Sequence, residues 1–225
     1  MARTKEAQYE DCLRAAEESG VDNLGVMTNQ VWRDDPRRLA ILLSRYKFVA
    51  KMLCGKRRVV EVGCGDGFGS RVVQQETGEL TVLDIDPVFI ADIEQRMHPD
   101  WPLTAAVHDM LSGPYPGIFD AAYSLDVLEH IPAAQEQNFV RNIASSLNND
   151  GVLIVGMPSL ESQEHASAQS KAGHINCKRG PDLKALMALF FDNVFVFSMN
   201  DEVVHTGFSA MAHYHLALCC GKRRV

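Results

Sequence analysis

Glycine recurs at alternate positions in one short segment of the chain, where the residue type itself limits what the backbone can do. Gly63, Gly65 and Gly67 follow the apolar run Arg58–Val62. Because glycine lacks a Cβ atom, the backbone can turn tightly there and a ligand can approach it closely. A helix that begins directly after such a loop directs its free N–H groups into the same crevice. The segment therefore predicts a ligand-binding loop at the carboxyl end of a strand.

Carboxylates stand at three further points where such a ligand would be recognised. Glu61 lies two residues before the first glycine. Asp84 follows the loop after about 20 residues, at the end of the next apolar run, where a carboxylate accepts hydrogen bonds from ribose hydroxyls. Asp109 ends the third run, at the position expected to meet an adenine amino group. The pattern predicts a ligand that carries ribose and adenine.

Two alternative interpretations concern the same residues. A nicotinamide cofactor would favour the pattern G-x-G-x-x-G, but Phe68 occupies the position of the last glycine. Asp84 also lies close enough to Pro87 to cap the helix expected there, although Asp86 is the better cap because it directly precedes the proline. We therefore favour the ribose role for Asp84.

Short apolar runs alternate with amphipathic stretches in the middle of the chain, which is typical of a parallel sheet with helices on both faces. The predicted strands comprise residues 58–62, 80–83, 103–107, 120–125 and 152–155. Residues 5–19 and 36–54 predict two amphipathic helices before the sheet. A helix from Pro181 and strands at 194–199 and 212–218 follow it, and this terminal strand pair indicates an antiparallel edge.

The chain is expected to form a single domain over residues 1–225, with residues 1–54 as an N-terminal helical cap. Residues 159–180 form a long polar stretch without a clear period, which predicts a lid or an acceptor loop. Residues 148–151 read Asn-Asn-Asp-Gly and predict a turn. Pro132 predicts the start of the helix before that turn.

The composition indicates an ordinary globular protein. Hydrophobic residues make up 46% and charged residues 23% of the 225 residues, which excludes a largely disordered chain. A net charge of −7 counts against a nucleic-acid partner, and no apolar stretch approaches the ~20 residues of a membrane helix. The six cysteines are irregularly spaced, and no cluster of histidine and carboxylate residues has metal-ligand spacing. We therefore expect reduced thiols, a cytoplasmic location and no bound metal.

Four motifs, in order along residues 59–155, resemble those of the class I S-adenosylmethionine (SAM)-dependent methyltransferases. The sequence E-V-G-C-G-D-G at 61–67 looks like their first motif, and L-D-I-D-P at 83–87 looks like their second. H-D-M at 108–110 resembles their adenine-side motif. S-L-D-V-L-E-H-I at 124–131 is similar to the fourth-strand motif of small-molecule methyltransferases, including those of quinone biosynthesis. The resemblance implies an α/β, Rossmann-like fold with a seven-stranded, mostly parallel sheet whose last strand is antiparallel.

The resemblance also implies a cofactor, SAM, with S-adenosyl-L-homocysteine (SAH) as its product, and a set of residues that hold it. These residues are Glu61, Gly63, Cys64, Gly65, Gly67, Asp84, Ile85, Asp109, Met110, Leu125 and Asp126. The glycines would approach the methionine part of SAM, while Glu61 would orient their loop through backbone contacts. Asp84 would bind the ribose, and Asp109 with Met110 the adenine. Leu125 and Asp126 would border the sulfonium.

The implied chemistry is an in-line displacement at a methyl carbon that positive sulfur already activates. Such an enzyme mainly aligns the nucleophile and excludes water, and a hydroxyl acceptor also gains from a general base. His130, near the acceptor entrance, is the first candidate for this base, and His174, on the predicted lid, is the second. The alternative is that His130 only caps or hydrogen-bonds its own helix.

We expect methyl transfer to an oxygen or nitrogen of a small molecule or glycoconjugate, by a monomer or homodimer with neither a nucleic-acid partner nor a membrane span. Two rival functions are a non-catalytic SAM-binding regulatory module and a protein methyltransferase. DNA and RNA amino-methyltransferases often carry the motif D/N-P-P-Y/F/W after the fourth strand. Here that position reads L-D-V-L at 125–128, which counts against them.

Overall fold

The computed structural model describes residues 4–224, which form one mixed sheet with helices on both faces. The strands are β1 (Arg58–Val62), β2 (Glu79–Asp84), β3 (Thr104–Val107), β4 (Phe119–Leu125), β5 (Leu147–Pro158), β6 (Phe191–Asn200), β7 (Val203–His205) and β8 (Tyr214–Lys222). Their order across the sheet is β3-β2-β1-β4-β5-β8-β6-β7. Strands β1 to β5 are parallel, whereas β8 runs antiparallel to both β5 and β6.

Helices cover the sheet from two sides. The α-helices of the described residues are α1 (Glu10–Ser19), α2 (Val26–Asp34), α3 (Arg37–Met52), α4 (Ser70–Gln74), α5 (Pro87–Arg96), α6 (Glu136–Ser145), α7 (Ala168–Gly173) and α8 (Gly180–Met187). Val49 of α3, Val73 of α4 and Ile93 of α5 belong to one buried cluster. Ile143 of α6 and Leu183 of α8 belong to the cluster on the other face.

The central strands are buried on both faces, which explains why their sequences are continuously apolar. Ala121, Ala122 and Tyr123 of β4 are successive residues, and each is fully buried. Because helices lie on either side, a central parallel strand needs apolar residues at every position rather than at alternate ones. Continuous apolar runs therefore mark these strands in the sequence.

The predicted Rossmann-like fold is confirmed, but the sheet has an eighth strand that the sequence did not indicate. The short strand β7 forms a hairpin with β6, in which Asn200 pairs with Val203. The intervening Asp201 adopts a φ of +48°. His215 of β8 is fully buried, and its ring lies beside Gly180 at the start of α8.

Three local boundaries differ from the predictions. Residues 148–151 lie within β5 as a bulge between the pairs Phe119–Leu147 and Ala121–Val152, and Asn148 donates to Asp120 at 2.8 Å. Helix α6 begins at Glu136, because Pro132 opens a turn in which its carbonyl accepts from the Gln135 amide. The first helix begins at residue 10, after a 3₁₀ turn at residues 7–9.

The connectivity opens a crevice at one edge of the sheet. The chain runs from β1 outward to β2 and β3, and then returns to β4 on the other side of β1. At such a switch point, ligands bind beside the carboxyl ends of the strands. Residues 159–180 follow β5 at this edge, where Ser159 and Lys178 form an isolated β-bridge. Within the described residues, none of the helices has the length and apolar character to cross a membrane.

Candidate cofactor and acceptor site

The glycine loop after β1 needs glycine for steric reasons. Gly63 has a φ of +79°, and a Cβ atom there would lie 2.2 Å from Cγ2 of Val127. Gly65 has a φ of +53°, and a Cβ atom there would meet Sδ of Met27 at 2.9 Å. Side chains at these two positions would both strain the backbone and collide with a neighbour. The loop therefore has the close-approach geometry that the sequence predicted.

Asp84 ties this loop to the end of β2. One carboxylate oxygen of Asp84 accepts from the Gly65 amide at 2.9 Å, and the other accepts from the Asp86 amide at 2.9 Å. Asp86 caps α5, since its carboxylate accepts from the Val88 amide. The helix cap is thus Asp86, as the sequence favoured. Asp84 stays half-exposed in the crevice, with lone pairs to spare for a ligand.

The predicted adenine-side residues lie at the ends of neighbouring strands. Asp84 pairs with Val107, so Ile85 and Asp109 follow β2 and β3 at the same edge. The side chain of Asp109 is exposed and accepts from the Leu111 amide at 2.8 Å. Ile85 is 69% exposed, whereas Met110 is 3% exposed. Ile85 and Asp109 are therefore available to a ligand, while Met110 supports them from the core.

Glu61 is fully buried, so its side chain supports the glycine loop from the protein interior. Its carboxylate accepts from the hydroxyls of Tyr46 at 2.9 Å, Tyr123 at 2.7 Å and Ser70, the first residue of α4. Burial raises its pKa to about 7, although the three hydroxyl donors lower it in part. The expectation that Glu61 uses backbone contacts was wrong, because these hydroxyls occupy its oxygens. Cys64 is buried beside it, and burial raises the pKa of its thiol.

The sequence missed Asp66, which fastens a helix over the glycine loop. The buried Asp66 carboxylate accepts from the Thr28 amide at 2.7 Å and from its hydroxyl at 3.1 Å. Helix α2 begins after Gly25, which has no side chain to cap it, so Asp66 supplies the cap from a distant part of the chain. Asp92 similarly accepts from the Val26 amide. The sequence motif contains Asp66, but its partner Thr28 lies 38 positions away, so a local pattern does not reveal the contact.

On the other side of the crevice, Asp126 follows β4 with a φ of +58°. Arg45 of α3 donates to both of its carboxylate oxygens, at 2.8 and 2.7 Å. The guanidinium also stacks over the Tyr214 ring at 3.8 Å from its centroid. Leu125, directly before Asp126, is buried. The sequence did not predict this ion pair, because its members are distant in the chain and come from a helix and a loop.

The structure brings both candidate bases together beside a buried carboxylate. The rings of His130 and His174 lie 5.4 Å apart between centroids. One ligand atom from each histidine and one from Glu129 all lie within 4.8 Å of one another. The His130 ring does not cap its own helix among the described residues; its Nδ1 bonds to the Gly173 carbonyl at 2.8 Å. This group of three could hold a metal ion, although the sequence spacing predicted none.

Glu129 is the least satisfied group of the site. Its side chain is fully buried, and neither carboxylate oxygen has a hydrogen-bond partner among the described residues. Burial raises its pKa well above the ordinary range, and the neighbouring Asp126 raises it further. Burial likewise lowers the pKa of His174, with His130 adding to the effect. Burial therefore disfavours the charged forms of Glu129 and His174 unless a bound partner compensates the charge.

Comparison with known proteins identifies a methyltransferase domain. Residues 59–151 match the model of a methyltransferase domain. The ubiquinone biosynthesis O-methyltransferase of Xanthomonas campestris pv. campestris is 28% identical over 144 residues, which are 60% of this chain. The chain spans 59% of the length of that relative.

Two solved structures share the fold over nearly the whole chain. The N-methyltransferase NodS of Bradyrhizobium japonicum, in complex with SAH, has a TM-score of 0.65 and 18% identity. That similarity covers 96% of this chain and 99% of NodS. Magnesium protoporphyrin IX methyltransferase of Synechocystis PCC 6803, also with bound SAH, has a TM-score of 0.57 and 16% identity over 95% of each chain. The chain therefore contains a methyltransferase domain at residues 59–151, within a Rossmann-like methyltransferase fold that extends over nearly the whole chain.

Proposed function

We propose that this protein transfers a methyl group from SAM to an oxygen or nitrogen of a small molecule and releases SAH. The observation that carries the proposal is the bond between the Asp84 carboxylate and the Gly65 amide. It joins the ribose-binding candidate to the glycine loop in one rigid crevice at the switch point of the sheet. The methyltransferase domain matched by residues 59–151 supports the same activity.

The cofactor would lie across the edge of β1, β2 and β3. Gly63, Gly65 and Gly67 would border its methionine part, with the Cys64 backbone between them. Asp84 would accept hydrogen bonds from the ribose hydroxyls. Asp109 would accept from the adenine amino group, and the exposed Ile85 side chain would cover the adenine ring. Met110 and Glu61 support these groups without touching the cofactor, since both are buried.

The methyl group would face the acceptor side, where Leu125 and Asp126 border the sulfonium. An in-line displacement needs the acceptor atom aligned with the sulfur–carbon bond and water kept away. The Arg45–Asp126 pair fixes one wall of this space. His130 or His174 would take the proton from an acceptor hydroxyl or amine.

The acceptor class is supported by what the matched proteins do. One relative is an O-methyltransferase of ubiquinone biosynthesis, and one structural neighbour is an N-methyltransferase. A small molecule or a glycoconjugate therefore fits better than a nucleic acid, which the net charge of −7 also disfavours. We place the protein in the cytoplasm, as a monomer or homodimer.

The proposal is tested by following SAH formation from SAM with catechols, phenols and amino sugars as acceptors. The proposal would be supported by turnover with a hydroxyl or amine acceptor. His130→Ala should then lower kcat more than it lowers the affinity for SAM. SAH binding without turnover on any acceptor would instead indicate a non-catalytic SAM-binding module. Turnover only with protein acceptors would indicate a protein methyltransferase.

A further inference from the structure

The cluster of the buried Glu129, the exposed His130 and the partly buried His174 lies between the end of β4 and the segment 159–180. We infer that these three side chains bind a divalent transition-metal ion, and that the ion fastens the segment 159–180 across the acceptor side. One ligand atom from each residue lies within 4.8 Å of the other two, which is a separation that a single ion can bridge. The site spans two distant parts of the chain, because His174 comes from the segment and the other two residues follow β4.

The environment of Glu129 is the first argument. A carboxylate is very unfavourable in the interior unless it is paired or binds a metal. The other buried carboxylates of the site are satisfied: Glu61 accepts from three hydroxyls and Asp66 from Thr28. The neighbouring Arg45 bonds to Asp126 instead. Glu129 is thus a fully buried carboxylate with two free oxygens, as far as the described residues show.

The orientation of the two histidines is the second argument. His130 Nδ1 lies 2.8 Å from the Gly173 carbonyl, which can only accept, so this nitrogen carries the proton. His174 Nδ1 lies 2.8 Å from the side-chain oxygen of Gln163, which acts in the same way. Both rings therefore keep a lone pair on Nε2. An imidazole that donates through one nitrogen to a backbone or side-chain oxygen and presents the other is typical of metal ligands.

Backbone hydrogen bonds around the cluster join the same two parts of the chain, the turn after β4 and the segment 159–180. The Glu129 carbonyl accepts from the amides of Ile175 at 2.9 Å and Asn176 at 3.0 Å. Asn176 in turn donates to Glu136 of α6 at 2.8 Å. The residues on both sides of His174 are thus docked by protein contacts, through Gly173 to His130 and through Ile175 to Glu129. A metal ion would add a link through the His174 side chain itself.

The donor set determines the class of ion. One carboxylate and two imidazoles suit zinc and related transition metals, whereas Mg²⁺ and Ca²⁺ prefer oxygen ligands alone. Three protein ligands leave a coordination position open, as in catalytic sites. If the proposed function holds, an acceptor hydroxyl at that position would lose its proton more easily. In the metal-bound protein the histidines would be ligands, and the ion would replace a free imidazole in promoting proton loss from the acceptor.

Zinc binding to protein stripped of metal with EDTA tests the inference by calorimetric titration. The wild type should bind one Zn²⁺ more tightly than Mg²⁺, and Glu129→Gln and His174→Ala should each weaken the zinc affinity by roughly tenfold or more. His165→Ala is the matched control, because this exposed histidine lies on the same segment outside the cluster. The exposed thiols of Cys12 and Cys54 are unchanged in all variants, so zinc bound there cannot produce the difference.

Hydrogen exchange of residues 160–174 is the second readout. Zinc should slow exchange in the wild type and in His165→Ala, but not in His174→Ala. Equal zinc affinity in the wild type, Glu129→Gln and His174→Ala would overturn the inference, as would the absence of zinc binding to folded wild type. Titration of SAH into the same samples separates the two proposals. SAH binding without zinc binding removes only the metal site, and zinc binding without SAH binding removes only the proposed function.

Discussion

The crevice has a proposed cofactor half, formed by the glycine loop with Asp66 and Asp84, and a proposed acceptor half around Glu129 and Tyr214. These two halves differ in how far the protein itself satisfies their polar groups. In the cofactor half, Asp84 bonds to two backbone amides, and Asp66 bonds to Thr28. In the acceptor half, the Glu129 carboxylate and the Tyr214 hydroxyl are buried without hydrogen-bond partners in the part of the chain that is described. The comparison indicates that the cofactor half is preorganised, whereas the acceptor half is completed by what binds there.

Glu61 challenges this comparison most strongly, because it is a buried carboxylate on the preorganised side. Its folded pKa of about 7 lies above the ordinary value of 4.5, so the folded state favours the protonated form. This preference adds to the free energy of unfolding below pH 4.5, and the contribution is lost as the pH rises through 7. The loss amounts to about 3 kcal/mol, from a shift of about 2.5 pKa units.

We therefore expect the stability of the wild type to fall by up to about 3 kcal/mol between pH 5 and 8 relative to Glu61→Gln. Urea unfolding across this pH range measures the difference. Glu94→Gln, which alters an exposed carboxylate on α5, should follow the wild type. A constant difference between Glu61→Gln and the wild type would show that Glu61 stays ionised, fully stabilised by its hydroxyl donors.

Gly63→Ala and Gly55→Ala separate backbone strain from close approach. Both glycines have a φ of +79°, but a Cβ atom at Gly55 meets nothing within 4 Å, whereas one at Gly63 meets Val127. Both substitutions should destabilise the fold by about 1 kcal/mol through φ alone. Gly63→Ala should lose about 2 kcal/mol more through the overlap with Val127, and it should weaken SAH binding.

Unfolding and SAH titration of both variants provide the measurement. Equal effects on stability would mean that Val127 moves away without resistance. The loop would then be less rigid than the preorganised cofactor half requires.

Asp84→Ala and Asp86→Ala compare ligand binding with helix capping at adjacent positions. Asp84→Ala should weaken SAH binding at least about tenfold, or 1.4 kcal/mol, while the fold stays intact. Asp86→Ala should reduce stability by about 1 kcal/mol through the lost cap and leave the SAH affinity unchanged. Calorimetry and thermal unfolding measure the two quantities. An unchanged affinity in Asp84→Ala would exclude the ribose role.

Thr28→Val tests the attachment of α2 to the glycine loop with the smallest expected effect. The substitution keeps the shape of the side chain and the amide bond to Asp66, but it removes the hydroxyl bond at 3.1 Å. A buried hydrogen bond contributes about 1 kcal/mol, so SAH should dissociate roughly fivefold faster from the variant. Stopped-flow displacement of SAH measures the rate. A lower stability with an unchanged dissociation rate would show that α2 does not cover the cofactor.

The same comparison explains how much the sequence could predict. The cofactor half consists of contiguous motifs, so Gly63 to Gly67 and Asp84 were identified from spacing and residue type. The acceptor half is assembled from distant segments. The pairing of Arg45 with Asp126 and the approach of His174 to Glu129 depend on tertiary packing, which local patterns do not contain.

Strand boundaries failed for a related reason. Asn-Asn-Asp-Gly at 148–151 has strong turn chemistry, but it forms a bulge within β5, because the residues on either side of it pair with β4. The buried position of Glu129 was also hidden, since an acidic residue beside a helix start usually faces solvent. Tertiary contacts therefore decided the elements that the sequence misplaced.

Calorimetric titration of the purified wild type with SAH and with NAD tests the central claim most directly. The preorganised cofactor half should bind SAH in the micromolar range or tighter, in a ratio of one per chain, and should give no heat with NAD. Binding of NAD, or no binding of SAH by a folded sample, would contradict the assignment of this crevice to SAM.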